Sequence, residues 1–154
     1  MLTLTNPQRD ICLAGLLRVY PTLAHPQRVI TNFVPAMQRI MMKSKIHRVR
    51  VTEADLDYIG SITIDENLME ASDLAENEQV HVFNYRNGER IITYVIKGQR
   101  GSGIICLNGP AAIKFSPGDE VIVVAYANVD EKDVAGFTPA VIFPDSKNNN
   151  TLNA

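Results

Sequence analysis

Tryptophan is absent from this chain, aromatic residues of all kinds make up 6% of it, and it has two cysteines, Cys12 and Cys106. Each scarcity excludes something. Two thiols far apart in sequence cannot build the disulfide framework of a small secreted domain, and no Cys/His spacing reads as a zinc site. They fit a reducing cytosol with both thiols free, and no metal is expected. The paucity of rings leaves the basic stretch Lys43–Arg50 without the interleaved aromatics that stack bases, so no nucleic-acid partner is expected. No apolar run reaches the ~20 residues of a membrane span, and no membrane association is expected. An excess of one charge sign is also missing: the net charge is −2, which gives no overall pull toward nucleic acid or anionic lipid.

What is present favours one domain. The chain has 154 residues, 45% hydrophobic and 21% charged, an ordinary globular balance. Residues 1–41 read differently from the rest. Pro7, Pro21, Pro26 and Pro35 divide them into pieces too short for a stable helix. Arg9, Arg18, Arg28 and Arg39 against Asp10 alone make the first 40 residues +3, which leaves −5 for the remainder. The expectation is a leader without assigned function, either a flexible extension or sequence upstream of a true start at Met41 or Met42.

From there the pattern is of short strands. Lys43–Thr52 sets Ile46, Val49 and Val51 among basic residues, and Thr52 followed by Asp55 predicts a helical turn over Glu53–Leu56. Ser61–Ile64 predicts a strand, and Asp65 predicts the cap of a helix running to about Leu74. Gln79–Asn84 and Arg90–Ile96 flank Asn87-Gly88, a hairpin-turn signal. Ile104–Leu107 and Glu120–Tyr126 predict two more strands, separated by turns at Asn108-Gly109 and Pro117-Gly118. Short strands with frequent turns and one or two small helices indicate a mainly β fold, a β-barrel, over residues 42–128. Residues 129–154 lose the alternation and are expected to form a mobile tail.

Five motifs occur in order: Lys45-Ile46-His47-Arg48 running on to Tyr58; Gly60-Ser61 with Ile62-Thr63-Ile64-Asp65; Asn87-Gly88-Glu89-Arg90 with Ile91-Ile92-Thr93-Tyr94; Arg100-Gly101-Ser102-Gly103; and Asn108-Gly109-Pro110-Ala111-Ala112. Together they resemble the pyruvoyl-dependent aspartate 1-decarboxylase family over about Met42 to Tyr126. The resemblance implies a six-stranded double-psi β-barrel. It also implies self-cleavage at Gly60–Ser61, by attack of the serine hydroxyl on the glycine carbonyl. Elimination and hydrolysis then turn Ser61 into a pyruvoyl group at the start of the larger fragment.

That group answers a chemical need. Loss of carbon dioxide from an amino acid leaves an electron pair that no ordinary side chain can accept, so a carbonyl that forms a Schiff base with the substrate amine is required. Here the resemblance supplies it from Ser61, with no pyridoxal phosphate and no metal. It further implies that Tyr94 donates a proton to the carbanion and that Arg90 binds a substrate carboxylate. Thr93 and the Gly109-Pro110-Ala111 turn contact substrate, and Asn108 assists maturation. Lys45 is the candidate second cation for a dicarboxylate, with His47 and Tyr58 in support; His47 reads equally well as structural. By strand alternation Arg90, Ile92 and Tyr94 share one face and Thr93 the other. Pro110 stands where the family usually has Ala, and it removes a backbone N–H.

The implied activity is conversion of L-aspartate to β-alanine for pantothenate and coenzyme A, in a cytoplasmic homotetramer of cleaved chains with sites between subunits. Two alternatives stay open: an unprocessed barrel acting as a binding module, and a pyruvoyl enzyme for another acidic amino acid such as glutamate.

Overall fold

A computed structural model describes residues 37–145 and 147–149, and the expected leader lies almost wholly outside them. Eight strands occur among the described residues: β1 (Gln38–Arg50), β2 (Glu53–Asp55), β3 (Ser61–Asp65), β4 (Gln79–Asn84), β5 (Arg90–Gly98), β6 (Ile105–Asn108), β7 (Glu120–Asp130) and β8 (Ala140–Ile142). One α-helix, α1 (Glu66–Ala71), and two 3-10 helices, Gly109–Ile113 and Glu131–Gly136, complete the list of elements. The fold is mainly β, as its sequence pattern indicates.

The strand order is β2-β6-β3-β5-β4-β7-β1-β8. Its ends meet. β1 pairs with β7, and two residues later the same chain has become β2, paired with β6. β1 and β2 are thus two halves of one bent stave, and six staves close the barrel, which removes the exposed sheet edges that invite aggregation. β3 runs parallel to β5 and antiparallel to β6, and β2 runs parallel to β6. An up-and-down barrel has no parallel neighbours, so the chain crosses over, as the expected double-psi arrangement requires.

The core follows the alternation. Val80, Val82 and Asn84 point inward from β4, and Ile62 and Ile64 are buried on β3. Each such aliphatic side chain contributes about 1.5–3 kcal/mol by leaving water. In β1 the buried Ile46 and Val49 stand three apart, which strict alternation forbids. A register shift between them absorbs the extra residue, with Arg48 at φ +62°. The Arg48 guanidinium is held by Glu120, Nε to Oε2 at 2.8 Å, and lies over the Tyr85 ring at 4.9 Å.

Four expectations are corrected. The barrel begins at Gln38, ahead of Met42, because β1 pairs back to Asp130. Glu53–Asp55 is strand rather than a helical turn. Thr52 does not cap; its Oγ1 donates to Ile105 O and accepts from Ile105 N–H, both at 3.0 Å, which commits the following residues to β6. α1 does start at Asp65, whose carboxylate accepts from Asn67 N–H at 2.7 Å, but it stops at Ala71. There Ser72 Oγ donates back to Leu68 O at 2.6 Å and Asp73 turns to φ +55°. Finally, the described part of the segment after Asn128 is built into the fold: β8 lies parallel to β1 along Ser44–Ile46. Asn149 is buried, with Oδ1 accepting from Arg50 N–H and Nδ2 donating to Arg50 O and Gly103 O, all at 2.8 Å.

Candidate active site

Ser61 opens β3 and is buried, 1% exposed. Register sets it directly opposite Asn108 at the end of β6. Asn108 Nδ2 donates to Ser61 Oγ and to Thr63 Oγ1, each at 2.9 Å. Ser61 Oγ in turn donates to Ile59 O across a long 3.4 Å. The hydroxyl next to the Gly60–Ser61 bond is therefore fixed from both sides.

The turn after Asn108 presses on the other half of that bond. Gly109 takes φ +59°, and a Cβ there would lie 2.9 Å from Gly60 Cα and 3.0 Å from both Gly60 N and Tyr58 O. Only glycine admits this approach at this φ. Pro110 sits at the first turn of the 3-10 helix Gly109–Ile113. A backbone N–H at that position has no partner within the helix, so the proline costs the fold nothing.

A cavity of about 440 Å³ opens here, lined by Gly60, Ser61, Ile91, Ile92, Thr93, Tyr94, Asn108, Pro110, Ala111 and Lys114. β5 contributes because Ile62 pairs with Val95, which sets Tyr94 beside Ser61. Along β5 exposure alternates: Arg90, Ile92 and Tyr94 are exposed, while Ile91 and Thr93 are partly covered. The cavity nevertheless touches Thr93 and Tyr94 together.

Of the residues singled out in the sequence, the structure brings together Gly60, Ser61, Thr93, Tyr94, Asn108, Pro110 and Ala111, with Gly109 and the Tyr58 carbonyl against the bond itself. It does not bring Arg90, Lys45 or His47 into this lining. The Arg90 guanidinium lies over the Phe83 ring at 4.9 Å. Lys45 is on β1 between Val124 of β7 and Val141 of β8. His47 packs edge-on against Phe143, centroids 5.3 Å apart, in a separate groove with Arg48, Glu120 and Asp145. Its Nδ1 is buried without a hydrogen-bond partner among the described residues, and burial, then Lys45 and Arg48, push its pKa down.

Three participants were not read from the sequence. Thr63 shares Asn108 with Ser61, and its place two residues on in the same strand was a legible signal. Lys114 brings a cation to the lining, paired with Glu89 at 2.6 Å. Cys106 donates its Sγ–H to Asn108 Oδ1 at 3.1 Å.

The sequence model of the family described as "Aspartate decarboxylase" matches residues 37–151. The chain belongs to that family. Among its relatives, the aspartate 1-decarboxylase of Cytophaga hutchinsonii is 59% identical over 108 residues, 70% of this chain and 94% of that protein. Those of Parabacteroides distasonis and Acetivibrio thermocellus are 56% and 59% identical, covering 73% and 70% of this chain and 97% and 86% of their own lengths. Among solved structures, a rationally designed protein is similar over 58% of this chain and 97% of its own, at 19% identity and a TM-score of 0.40.

Proposed function

We propose that the chain cuts itself at Gly60–Ser61 and decarboxylates L-aspartate to β-alanine through the pyruvoyl group that Ser61 becomes. The observation that carries this is the seating of Ser61: its buried Oγ receives the Asn108 amide at 2.9 Å, at the floor of a cavity lined by Thr93 and Tyr94. In the cut, Ser61 Oγ bonds to the Gly60 carbonyl carbon and the C–N bond breaks. The hydroxyl proton ends on the Ser61 nitrogen, and the amide has become an ester. Loss of the Ser61 Cα proton expels Gly60 as a carboxylate, and water then releases ammonia.

The residues present fit the group. An amide N–H that holds a hydroxyl oxygen serves a carbonyl oxygen equally well. The pyruvoyl carbonyl supplies the point where a substrate amine attaches and the sink for the electrons left by carbon dioxide. Around it, Tyr94 is the proton source for the substrate carbon, and Thr93 lies within reach of the same space.

Substrate carboxylates need cations. Lys114 is in the lining, while Arg90 and Lys45 are proposed to act across the contacts of a homotetramer, meeting a neighbouring protomer's cavity. Support comes from exposed apolar side chains on and beside the lining segments: Ile92 of the lining is 63% exposed, and Ile59 and Ile113, next in sequence to Gly60 and Lys114, are 75% and 76% exposed. We place the enzyme in a reducing cytosol, where the buried Cys106 stays a thiol. There it supplies β-alanine for pantothenate. No helix among the described residues is long and apolar enough to cross a membrane.

The test is the intact mass of the purified protein under denaturing conditions, followed by assay with aspartate. Two fragments meeting at Gly60/Ser61 are expected, the larger lighter by one ammonia than a chain starting with serine, together with β-alanine formation. A chain still whole after warm incubation overturns the reading in favour of an unprocessed binding barrel. Faster turnover of glutamate overturns the substrate.

A further inference from the structure

The β3–β6 ladder arranges four side chains as a square. Ser61 is opposite Asn108 and Thr63 is opposite Cys106, and positions two apart on a strand share a face. At the centre is the Asn108 amide. Its two N–H groups go to the two hydroxyls at 2.9 Å, and its oxygen accepts the Cys106 S–H at 3.1 Å.

A terminal amide can be turned over about its last torsion at little intrinsic cost. Turned over, Asn108 would offer Oδ1 to Ser61 and Thr63, which could donate to it, and would offer its NH2 to sulfur, a weak acceptor. The Ser61 proton goes to Ile59 O, but across a long 3.4 Å, so the hydroxyls do not by themselves fix the orientation. A thiol that donates does.

The choice has a chemical consequence. As the free hydroxyl of serine, Oγ can either give or receive a hydrogen bond. Once it has bonded to the Gly60 carbon and lost its proton to the Ser61 nitrogen, it is an ester oxygen that can only receive. An Asn108 N–H stays bonded through that change, and it also stabilises the negative charge that grows on the same oxygen as Gly60 departs. An Asn108 oxygen facing it would oppose both steps.

We propose that Cys106 is a positioning residue for chain cleavage, whose S–H fixes the Asn108 amide with its N–H groups toward Ser61 Oγ. This rests on the proposed cut at Gly60–Ser61. The thiol is suited to donate: it is 5% exposed, and burial, then the carboxylate of Glu53, push its pKa up, with the Asp55 backbone N–H acting the other way. It keeps its proton at neutral pH.

The experiment uses Cys106→Ala and Cys106→Ser, which differ by one hydroxyl. Freshly purified uncleaved chain is followed to its two fragments by denaturing mass spectrometry, and the melting of each variant is recorded. Cys106→Ala is expected to cleave about ten-fold more slowly, the size of one hydrogen bond, while Cys106→Ser stays within about threefold of the parent. Ala and Ser variants that slow equally show packing at work and overturn the inference, as does an Ala variant that cleaves at the parent rate. A parent chain that never cleaves overturns the maturation reading itself, an outcome separate from either.

Discussion

Gly109 and Gly60 meet backbone to backbone, so closely that a methyl group on Gly109 would stand 2.9 Å from Gly60 Cα. The contact crosses the turn after β6 and holds Gly60 where it is. Gly109→Ala is therefore expected to destabilise the fold by about 1–3 kcal/mol through its φ of +59° and the clash together. It should also leave the chain uncut, since Gly60 must shift. Thermal melting and intact mass check the two halves of this expectation.

Tyr94 lines the cavity but makes no hydrogen bond to Ser61, Asn108 or Thr63, whose mutual bonds hold the hydroxyl. Tyr94→Phe should thus still be cleaved at Gly60–Ser61. Turnover of aspartate should fall by about 100-fold or more, the usual worth of a positioned proton donor. Cleavage lost along with turnover would move Tyr94 from the decarboxylation to the maturation.

Asp119 predicts how the fold responds to acid. It is buried and receives Arg86 Nε at 2.5 Å, Asn84 Nδ2 at 2.7 Å and Ser116 N–H at 3.0 Å. Led by the Arg86 hydrogen bond and opposed by burial, its pKa falls from 3.8 to about 2. A carboxyl with a lowered folded pKa stabilises the protein above its unfolded pKa, and that stability drains away as pH falls toward the folded value. Asp119→Asn should cost about 2 kcal/mol at neutral pH. It should also flatten the loss of stability between about pH 4 and pH 2, as read by denaturant titration at several pH values.

Asn149 ties the chain near its end to the bend between β1 and β2 and to Gly103. It does so at φ +56°, which asparagine tolerates better than alanine. Asn149→Ala is expected to cost about 3 kcal/mol, roughly 1 for each of the three lost side-chain hydrogen bonds. A drop in melting temperature measures it, and an unchanged melt would show the segment to be dispensable to the barrel.

Much of the fold was legible because its residues carry local signals, while the candidate site was legible through the five ordered motifs of the family resemblance. Asn87-Gly88 announced the hairpin that aligns β5, and Asp65 announced the start of α1. What escaped was decided by partners distant in sequence. Thr52 reads as a cap until β6 offers Ile105, and Cys106 reads as strand filling until Asn108 turns toward it. Ala140–Ile142 pairs with Ser44–Ile46 of β1, which alternation within that tail does not reveal. Arg90 and Lys45 come from the family resemblance, which sequence displays, whereas their absence from the lining of this cavity depends on barrel closure, which it does not.

The bent stave made of β1 and β2 bears on what a cut at Gly60–Ser61 would leave behind. The shorter piece would own that stave and the longer piece the other five, with β1 gripped between β7 and β8 and β2 laid along β6. Neither half could depart without opening the ring, and neither holds a complete core of its own. The mature molecule would be a nicked ring of two interlocked peptides, able to lose a covalent bond at its chemical centre and keep its shape. Once unravelled in denaturant, its pieces would have to find each other again, so refolding would depend on concentration as that of the uncut chain does not.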